Sequence, residues 1–286
     1  MGKRTENEIR TLSVASVIFS CHQNPNSNLH KMTSIIEEIM NKRPGTNLIV
    51  FGQMSLGWYD PASMPEYHKE ISMHLSYDSL GIISEQASKF GVYICLGFSE
   101  KDEGFYYNSQ VLFDRFGDPR SVHRKFNLSP GERKCGYHPG TAPFTVTGIL
   151  GKKTVITTLA DLSNFSTVTR IAMSRPEVVI VPLVENIDAR SVVPRFMARA
   201  FDAWLVTANR YGIEEDVSWN GFSFISDPRG RIVRESVGKS DFLLQDMSFP
   251  GRNILLSLPR GILVRLPLPL MAKAWKKELS LILDKR

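Results

Sequence analysis

Residues 153–164 read Lys153-Thr-Val-Ile-Thr-Thr-Leu159-Ala-Asp161-Leu-Ser-Asn164. The first half is an apolar run typical of a buried strand, and the chain then turns through Asp161 toward a helix that begins near Asn164. A strand, a sharp turn and a helix in this order hold a nucleophile at the end of the strand in several classes of enzyme. The residue at this position is Leu159, whose hydrocarbon side chain neither attacks a carbonyl carbon nor exchanges a proton.

Strands and helices alternate on both sides of this stretch. Apolar runs of strand length occur at 11–19, 48–51, 92–97, 178–182 and 204–209, and helical periodicity covers about 26–40, 79–90, 164–174 and 191–203. Two predicted hairpins, at 108–126 and 221–235, have turns of Gly, Pro and Asp. This order predicts an α/β fold in which two sheets pack together with helices outside them, in a single domain.

The excess positive charge lies in the C-terminal part of the chain. The 286 residues have a formal net charge of +6, and those from Ser248 onward include eight Lys or Arg against two acidic residues, Glu278 and Asp284. Residues 1–247 are therefore neutral, whereas a nucleic-acid-binding protein usually spreads a basic face over its fold. We expect a folded domain over 8–247, a basic and apolar tail over 248–286, and no nucleic-acid partner.

Cysteine usage indicates a reducing compartment. The three cysteines, Cys21, Cys95 and Cys135, are too few and too scattered for a disulfide framework or a zinc site. Residues 1–6 lack the apolar core of a secretory signal peptide. We therefore expect a cytoplasmic protein that holds neither a metal nor a cofactor.

The tail combines apolar and basic residues. Residues 254–271 are too apolar for a free linker, but Arg260, Arg265 and three prolines exclude an ordinary transmembrane helix. A helical stripe of Met271, Trp275, Leu279 and Ile282 follows, with Lys273, Lys276 and Lys277 on other faces. Two interpretations stay open: a tail packed along a dimer interface, and a basic amphipathic segment over 254–283 that holds the protein peripherally at the inner face of a membrane.

Several short motifs occur in a specific order along the chain. They are Phe51-Gly-Gln53-Met-Ser-Leu-Gly-Trp-Tyr59, His123-Arg-Lys125-Phe-Asn-Leu128, Pro139-Gly140, Leu159-Ala-Asp161, Ala198-Arg-Ala-Phe-Asp202, Ala208-Asn-Arg-Tyr-Gly212 and Gly221-Phe-Ser-Phe-Ile-Ser-Asp-Pro228. Each motif alone is a weak signal. Together, and over nearly the whole of 11–247, they resemble the nitrilase superfamily of carbon–nitrogen hydrolases.

The resemblance implies a four-layer α-β-β-α sandwich that usually dimerises, and it implies a mechanism. In that family a Glu deprotonates a Cys, the thiolate attacks an amide or nitrile carbon, and a Lys stabilises the charge that develops on the substrate. Lys125 stands at the position of the family's Lys, but Gln53 replaces the Glu and Leu159 replaces the Cys. An amide side chain has no basic lone pair near neutral pH, so two of the three catalytic groups are absent.

The neighbouring threonines do not supply a substitute nucleophile. Thr157 lies one step deeper on the strand face of Leu159, and Thr158 faces the opposite way. Either hydroxyl would need a base to activate it, and Gln53 is not one.

The resemblance also predicts residues around the ligand. The family's second pocket Glu falls at Glu132 or, with nearly equal support, at Arg133, and Tyr59, Glu185 and Asn186 are expected at the ligand position or its rim. The loss of Glu and Cys leaves Lys125 with fewer anionic partners, and an inward Arg133 makes the site cationic. The resulting hypothesis is a site that binds a small anion, carboxylate or phosphate, without turnover.

We therefore expect a catalytically inactive protein of nitrilase fold, a pseudoenzyme that binds a small anionic metabolite or a partner subunit. The partner is a second copy in a homodimer or an active relative in a hetero-oligomer. The first alternative is an amidase-like carbon–nitrogen hydrolase with altered, non-cysteine chemistry that uses Lys125. The second is a peripheral membrane protein that acts through its tail.

Overall fold

The computed structural model describes residues 10–76, 78–186, 193–239 and 241–249. Its strands, in chain order, are β1 (Thr11–Ile18), β2 (Leu48–Val50), β3 (Tyr93–Asp102), β4 (Phe105–Phe113), β5 (Pro119–Arg124), β6 (Thr145–Ile149), β7 (Lys152–Ile156), β8 (Val178–Pro182), β9 (Trp204–Ala208), β10 (Tyr211–Glu214), β11 (Val217–Asn220), β12 (Ser223–Ser226), β13 (Ile232–Ser236) and β14 (Asp241–Ser248). The helices are α1 (Pro25–Lys42), α2 (Pro65–Glu70), α3 (Asp78–Phe90), α4 (Pro130–Cys135), α5 (Phe165–Ser174) and α6 (Val193–Phe201), with a 3-10 turn over Asp161–Ser163.

The strands form two sheets of six and a separate hairpin of β10 and β11. The first sheet has the order β14-β1-β2-β3-β4-β5, and the second has the order β13-β12-β9-β8-β7-β6. Parallel strands lie in the middle of both sheets, β1-β2-β3 in the first and β7-β8-β9 in the second. Because parallel strands end at the same edge of a sheet, the loops after β2, β7 and β8 are positioned to form one site.

Three apolar clusters separate the layers. The cluster between the sheets takes buried side chains from both, for example Val14 and Val50 from the first and Ile156 and Val206 from the second. A second cluster joins the first sheet to α1 and α3, and a third joins the second sheet to α5 and α6. The helices α1, α3, α5 and α6 cover the outer faces of the sheets with their apolar stripes. The predicted α-β-β-α sandwich is confirmed.

The bounds of some helices differ from the sequence expectation. The helix α1 begins at Pro25, one residue before the expected start, because the Asn24 side chain caps it by accepting from the amides of Asn26 and Ser27. The helix α5 begins at Phe165, with Asn164 as its cap. The expected helix over 191–203 is described as α6 and ends at Phe201.

No helix in the described parts of the chain is long and apolar enough to cross a membrane. The edge strand β14 carries the domain to Ser248, one residue past the predicted boundary. The tail from residue 250 lies outside the described residues. The dimer-interface and membrane-surface interpretations of 254–283 therefore stay predictions.

Candidate functional site

The three motif positions lie just after strand ends, and all three are buried. Gln53 follows β2, Lys125 follows β5 and Leu159 follows β7. Their exposed fractions are 3%, 1% and 4%. A surface-turn glutamine and an ordinary solvent-facing lysine are therefore excluded, because both side chains are held inside the protein.

Asp161 fixes the position of Lys125 relative to Leu159. Its Oδ1 accepts hydrogen bonds from the backbone amides of Phe126, at 3.0 Å, and Asn127, at 2.6 Å. Its Oδ2 accepts from Thr158 Oγ1 at 2.8 Å and lies 3.0 Å from Nε2 of the buried His123. Phe126 directly follows Lys125, so this one carboxylate ties the end of β5 to the turn after β7.

The loop after β2 of the first sheet brings Gln53 into contact with the chain just beyond β8 of the second sheet. The backbone amide of Gln53 donates to the backbone carbonyl of Leu183 at 3.0 Å, just beyond β8. Gly97 of β3 permits the loop to lie this close. A Cβ at Gly97 would lie 2.7 Å from Gln53 Cα and 2.6 Å from Met54 N, which is closer than side chains approach backbone atoms.

Replacement of Gly97 by Ala tests this packing. We expect Gly97→Ala to lower the free energy of unfolding by about 1–3 kcal/mol, because the added methyl group forces backbone atoms of the Gln53 loop to move. The matched control is Gly45→Ala, since a Cβ at Gly45 would meet nothing within 4 Å. Urea denaturation of both variants provides the comparison, and equal losses would show that the contact at Gly97 is not tight.

Lys125 is paired with Glu132. The Lys125 ammonium lies 2.7 Å from Glu132 Oε2, and both side chains are fully buried. Glu132 Oε2 also accepts from the backbone amide of Ser129 at 2.7 Å, and Oε1 accepts from Asn108 Nδ2 at 2.7 Å. Ser129 in turn caps α4 by accepting from the amide of Glu132, so this carboxylate belongs to a capping box as well as to an ion pair.

These partners keep Glu132 ionised. Burial alone would raise the pKa of Glu132, but the charge of Lys125 and the hydrogen bonds from Lys125, Ser129 and Asn108 outweigh burial and lower the pKa to about 2. Protonation of Glu132 therefore requires strongly acidic solution, and Lys125 faces a permanent negative charge at neutral pH.

A depressed pKa makes the stability of the protein depend on pH. Glu132 binds a proton more readily in the unfolded chain, where its pKa is near 4.5, than in the folded one. Its contribution is therefore present above pH 4.5 and is lost as the pH falls toward 2; we expect a loss of about 3 kcal/mol from this group. Urea unfolding across this range, compared with Glu132→Gln, measures it. Parallel losses in the two proteins would contradict the assignment.

The comparisons with known proteins identify the family and the fold. A model of the carbon-nitrogen hydrolase family matches residues 14–241. The chain belongs to the carbon-nitrogen hydrolase family. A probable nitrilase from Schizosaccharomyces pombe is 32% identical over 216 residues, which cover 72% of this chain and 77% of that protein.

Solved structures similar to this family member share its fold. A nitrilase-superfamily member from Saccharomyces cerevisiae has a TM-score of 0.74 at 20% identity, over 84% of this chain and 90% of that one. A cysteine-to-alanine mutant of the amidase from Nesterenkonia sp. AN1, in complex with butyramide, has a TM-score of 0.71 at 18% identity, over 83% and 90% of the two chains.

Within this carbon-nitrogen hydrolase fold, Glu132 and not Arg133 faces Lys125. Arg133 is exposed, so the expectation that it points inward and makes the site cationic is wrong. The reason is local: the capping box directs Glu132, the third residue of α4, back toward the chain before the helix. The next residue along a helix points about 100° away.

The remaining expected ligand residues take different positions in this hydrolase fold. Tyr59 is buried, and its ring lies 6.3 Å from that of Trp219. Glu185 is buried as well, and its backbone carbonyl accepts from Asn209 Nδ2 at 2.7 Å. Asn186 is exposed and clamps the hairpin, donating to the carbonyl of Ser218 at 2.7 Å. A buried Tyr59 and Glu185 fit the expected site, whereas the contacts of Asn186 are structural.

Within the described residues, neither the two threonines beside Leu159 nor the three cysteines offer an activated nucleophile. Thr158 Oγ1 is bound to Asp161, and Thr157 Oγ1 donates to the carbonyl of Pro143 at 2.8 Å. Desolvation raises the pKa of the buried Cys21 to about 11, of Cys95 to about 12 and of Cys135 to about 11, so each stays a thiol at neutral pH. Leu159 itself belongs to the apolar cluster beneath α5 and α6.

The sequence did not predict that four polar side chains form hydrogen bonds at this site. They are those of Asn108, Gln110, His123 and Asp161. Asn108 and Gln110 are two residues apart in β4 and therefore lie on the same face of the strand, and both are fully buried. The intervening Ser109 is polar and fully buried as well, so the pattern of polar and apolar residues along this strand does not single out Asn108 and Gln110.

Proposed function

We propose that this carbon-nitrogen hydrolase family member binds a small carboxamide and does not hydrolyse it through a cysteine. The observation that carries the proposal is the buried Leu159 at the turn after β7, in the position that the motif gives to the nucleophile. A hydrocarbon there forms no acyl intermediate, and Gln53 beside β2 has no carboxylate to accept a proton.

A lysine-based mechanism receives little support from the site. A nucleophilic or basic lysine has to lose its proton, and burial among apolar groups or next to another cation is what lowers the pKa of such lysines. Here Lys125 lies 2.7 Å from Glu132, whose low pKa keeps it ionised. The carboxylate favours the protonated form of Lys125, so the altered hydrolase that uses this amine is the weaker alternative.

The charge of the site favours a neutral ligand over an anion. The positive charge of Lys125 is already matched by Glu132, and both groups are buried. Burial of a further unmatched charge costs several kcal/mol, whereas a carbonyl oxygen needs only a hydrogen-bond donor. For the Nesterenkonia amidase, a mutant in which a cysteine is alanine is described in complex with butyramide, so in that protein an amide binds without that thiol.

The surroundings suit a short apolar acyl chain. A buried cluster that includes Met54, Tyr59, Val184 and Trp219 lies next to the polar groups, since Met54 follows Gln53 and Val184 precedes Glu185. Ligand sites are commonly lined by apolar and aromatic side chains with a few placed polar groups. Butyramide, which combines one amide with a three-carbon chain, is a suitable probe.

Two measurements on the full chain test the proposal. Release of ammonia is followed with a panel of aliphatic amides and nitriles, and binding of butyramide is followed by isothermal titration calorimetry. We expect binding without ammonia. Release of ammonia by the unmodified chain would show that the site hydrolyses amides or nitriles. If no amide binds, the proposal that the ligand is a carboxamide is contradicted.

A further inference from the structure

Gln110 lies beside the site and is used by none of the interactions described so far. It stands on β4 opposite His123 of β5, and its side chain is fully buried. Side chains alternate along a strand, so Gln110 shares a face with Asn108, which donates to Glu132. Gln110 therefore belongs to the surface that also carries Lys125 and its partner.

A chain of hydrogen bonds fixes which way the Gln110 amide points. Glu132 is ionised and only accepts, so Asn108 presents Nδ2 to it and turns Oδ1 away. Gln110 Nε2 then donates to Asn108 Oδ1, at 3.4 Å. The Gln110 carbonyl oxygen is the end of this relay, and within the described part of the chain it has no hydrogen-bond partner.

The unpaired Gln110 oxygen lies close to the backbone of Gln53. A Cβ on Gly97 would lie 2.6 Å from Gln110 Oε1 and 2.7 Å from Gln53 Cα, so the absent side chain of Gly97 is what lets the two glutamines approach. Gln53 Nε2 is buried and also has no hydrogen-bond partner among the described residues. A buried acceptor on Gln110 and a buried donor on Gln53 are thus both unpaired, on residues that lie close to each other at Gly97, and each unsatisfied group costs roughly 1–3 kcal/mol.

We propose that Gln110 is a specificity-determining residue that accepts a hydrogen bond from the N–H of a bound amide, while Gln53 Nε2 donates to the carbonyl of the same amide. The proposal rests on the proposed function, because it takes a carboxamide as the ligand. A primary amide satisfies both orphaned groups at once. The corresponding carboxylate has no hydrogen to donate and places a negative oxygen against Gln110 Oε1, and an N,N-dialkyl amide offers a carbonyl but no N–H.

The test compares butyramide, butyrate and N,N-dimethylbutyramide by calorimetry on the full chain. In the unmodified protein we expect butyramide to bind at least about tenfold more tightly than either analogue, because each analogue leaves a buried acceptor unpaired. In Gln110→Met, which keeps the length of the side chain and removes its amide, this ratio is expected to fall below about threefold. Ser109→Ala is the matched control, since Ser109 faces away and donates to Glu100, and it should keep the full ratio.

The outcomes separate this inference from the proposed function. Butyrate or the dimethyl amide binding as tightly as butyramide would overturn the role of Gln110, and this comparison needs no variant to fold. An unchanged ratio in a folded Gln110→Met would overturn it as well. Binding of no amide would remove both proposals, whereas ammonia release with the ratio intact would remove only the non-hydrolytic function.

Discussion

The double variant Leu159→Cys/Gln53→Glu is expected to release ammonia from butyramide at least about 10³-fold faster than the unmodified chain, because a nucleophile and its base act as a unit. The reason is that the frame around both positions is already built. Asp161 holds the turn after β7 against the segment after Lys125, and the Gln53 loop is fixed to Leu183 by a backbone hydrogen bond. The double variant adds the thiol and the carboxylate to this frame.

Three variants that each lack the thiol or the carboxylate are the controls for this gain in rate. Leu159→Cys alone supplies a thiol without a base, and Gln53→Glu alone supplies a base without a nucleophile, so each should stay within about tenfold of the unmodified rate. Leu159→Ala/Gln53→Glu shortens the side chain without adding a thiol and should be inactive. A double cysteine–glutamate variant that is folded and still inactive would show that the two positions do not face a common substrate.

Lys125→Met is expected to lower the free energy of unfolding by about 3–5 kcal/mol, the usual cost of leaving one member of a buried ion pair without its partner. The cost arises at Glu132, which stays buried and loses a donor at 2.7 Å. Urea denaturation near neutral pH measures the loss, since Glu132 is fully ionised there.

The matched control removes the stranded charge. Lys125→Met/Glu132→Gln removes both charges of the ion pair, so it should recover more than half of the loss, although the glutamine caps α4 less well than the carboxylate. A loss below about 1 kcal/mol in the single variant would mean that water or another group compensates Glu132.

The three motif positions could be located from the sequence because their signal is local. Gln53, Lys125 and Leu159 each lie within a few residues of a strand end. Each is part of a short motif whose other residues are its neighbours in the sequence. The motif spacing left the second pocket position open between two adjacent residues, Glu132 and Arg133. The pattern Ser129-Pro-Gly-Glu132 is itself a capping box with proline at the first helical position, and it would have decided for Glu132.

The buried relay through Asn108 and Gln110 was beyond prediction for a different reason. Its direction is set by the charge on Glu132, and Glu132 reaches Asn108 only because α4 folds back over β4. Contacts between segments far apart in the chain leave no mark in local periodicity. The approach of Gln110 to Gln53 likewise depends on Gly97, a glycine whose role is visible only when three strands are in register.

Glu132 Oε2 accepts hydrogen bonds both from the Lys125 ammonium and from the backbone amide of Ser129 at the start of α4. This shared acceptor has a consequence for which mutations selection tolerates. A mutation at Lys125 is penalised through folding whether or not any substrate is ever turned over. A mutation at Leu159 is also penalised through folding, because this side chain is buried in the apolar cluster beneath α5 and α6. Selection for a folded chain is therefore enough to retain Lys125, so its presence says nothing about whether a reaction takes place at this site.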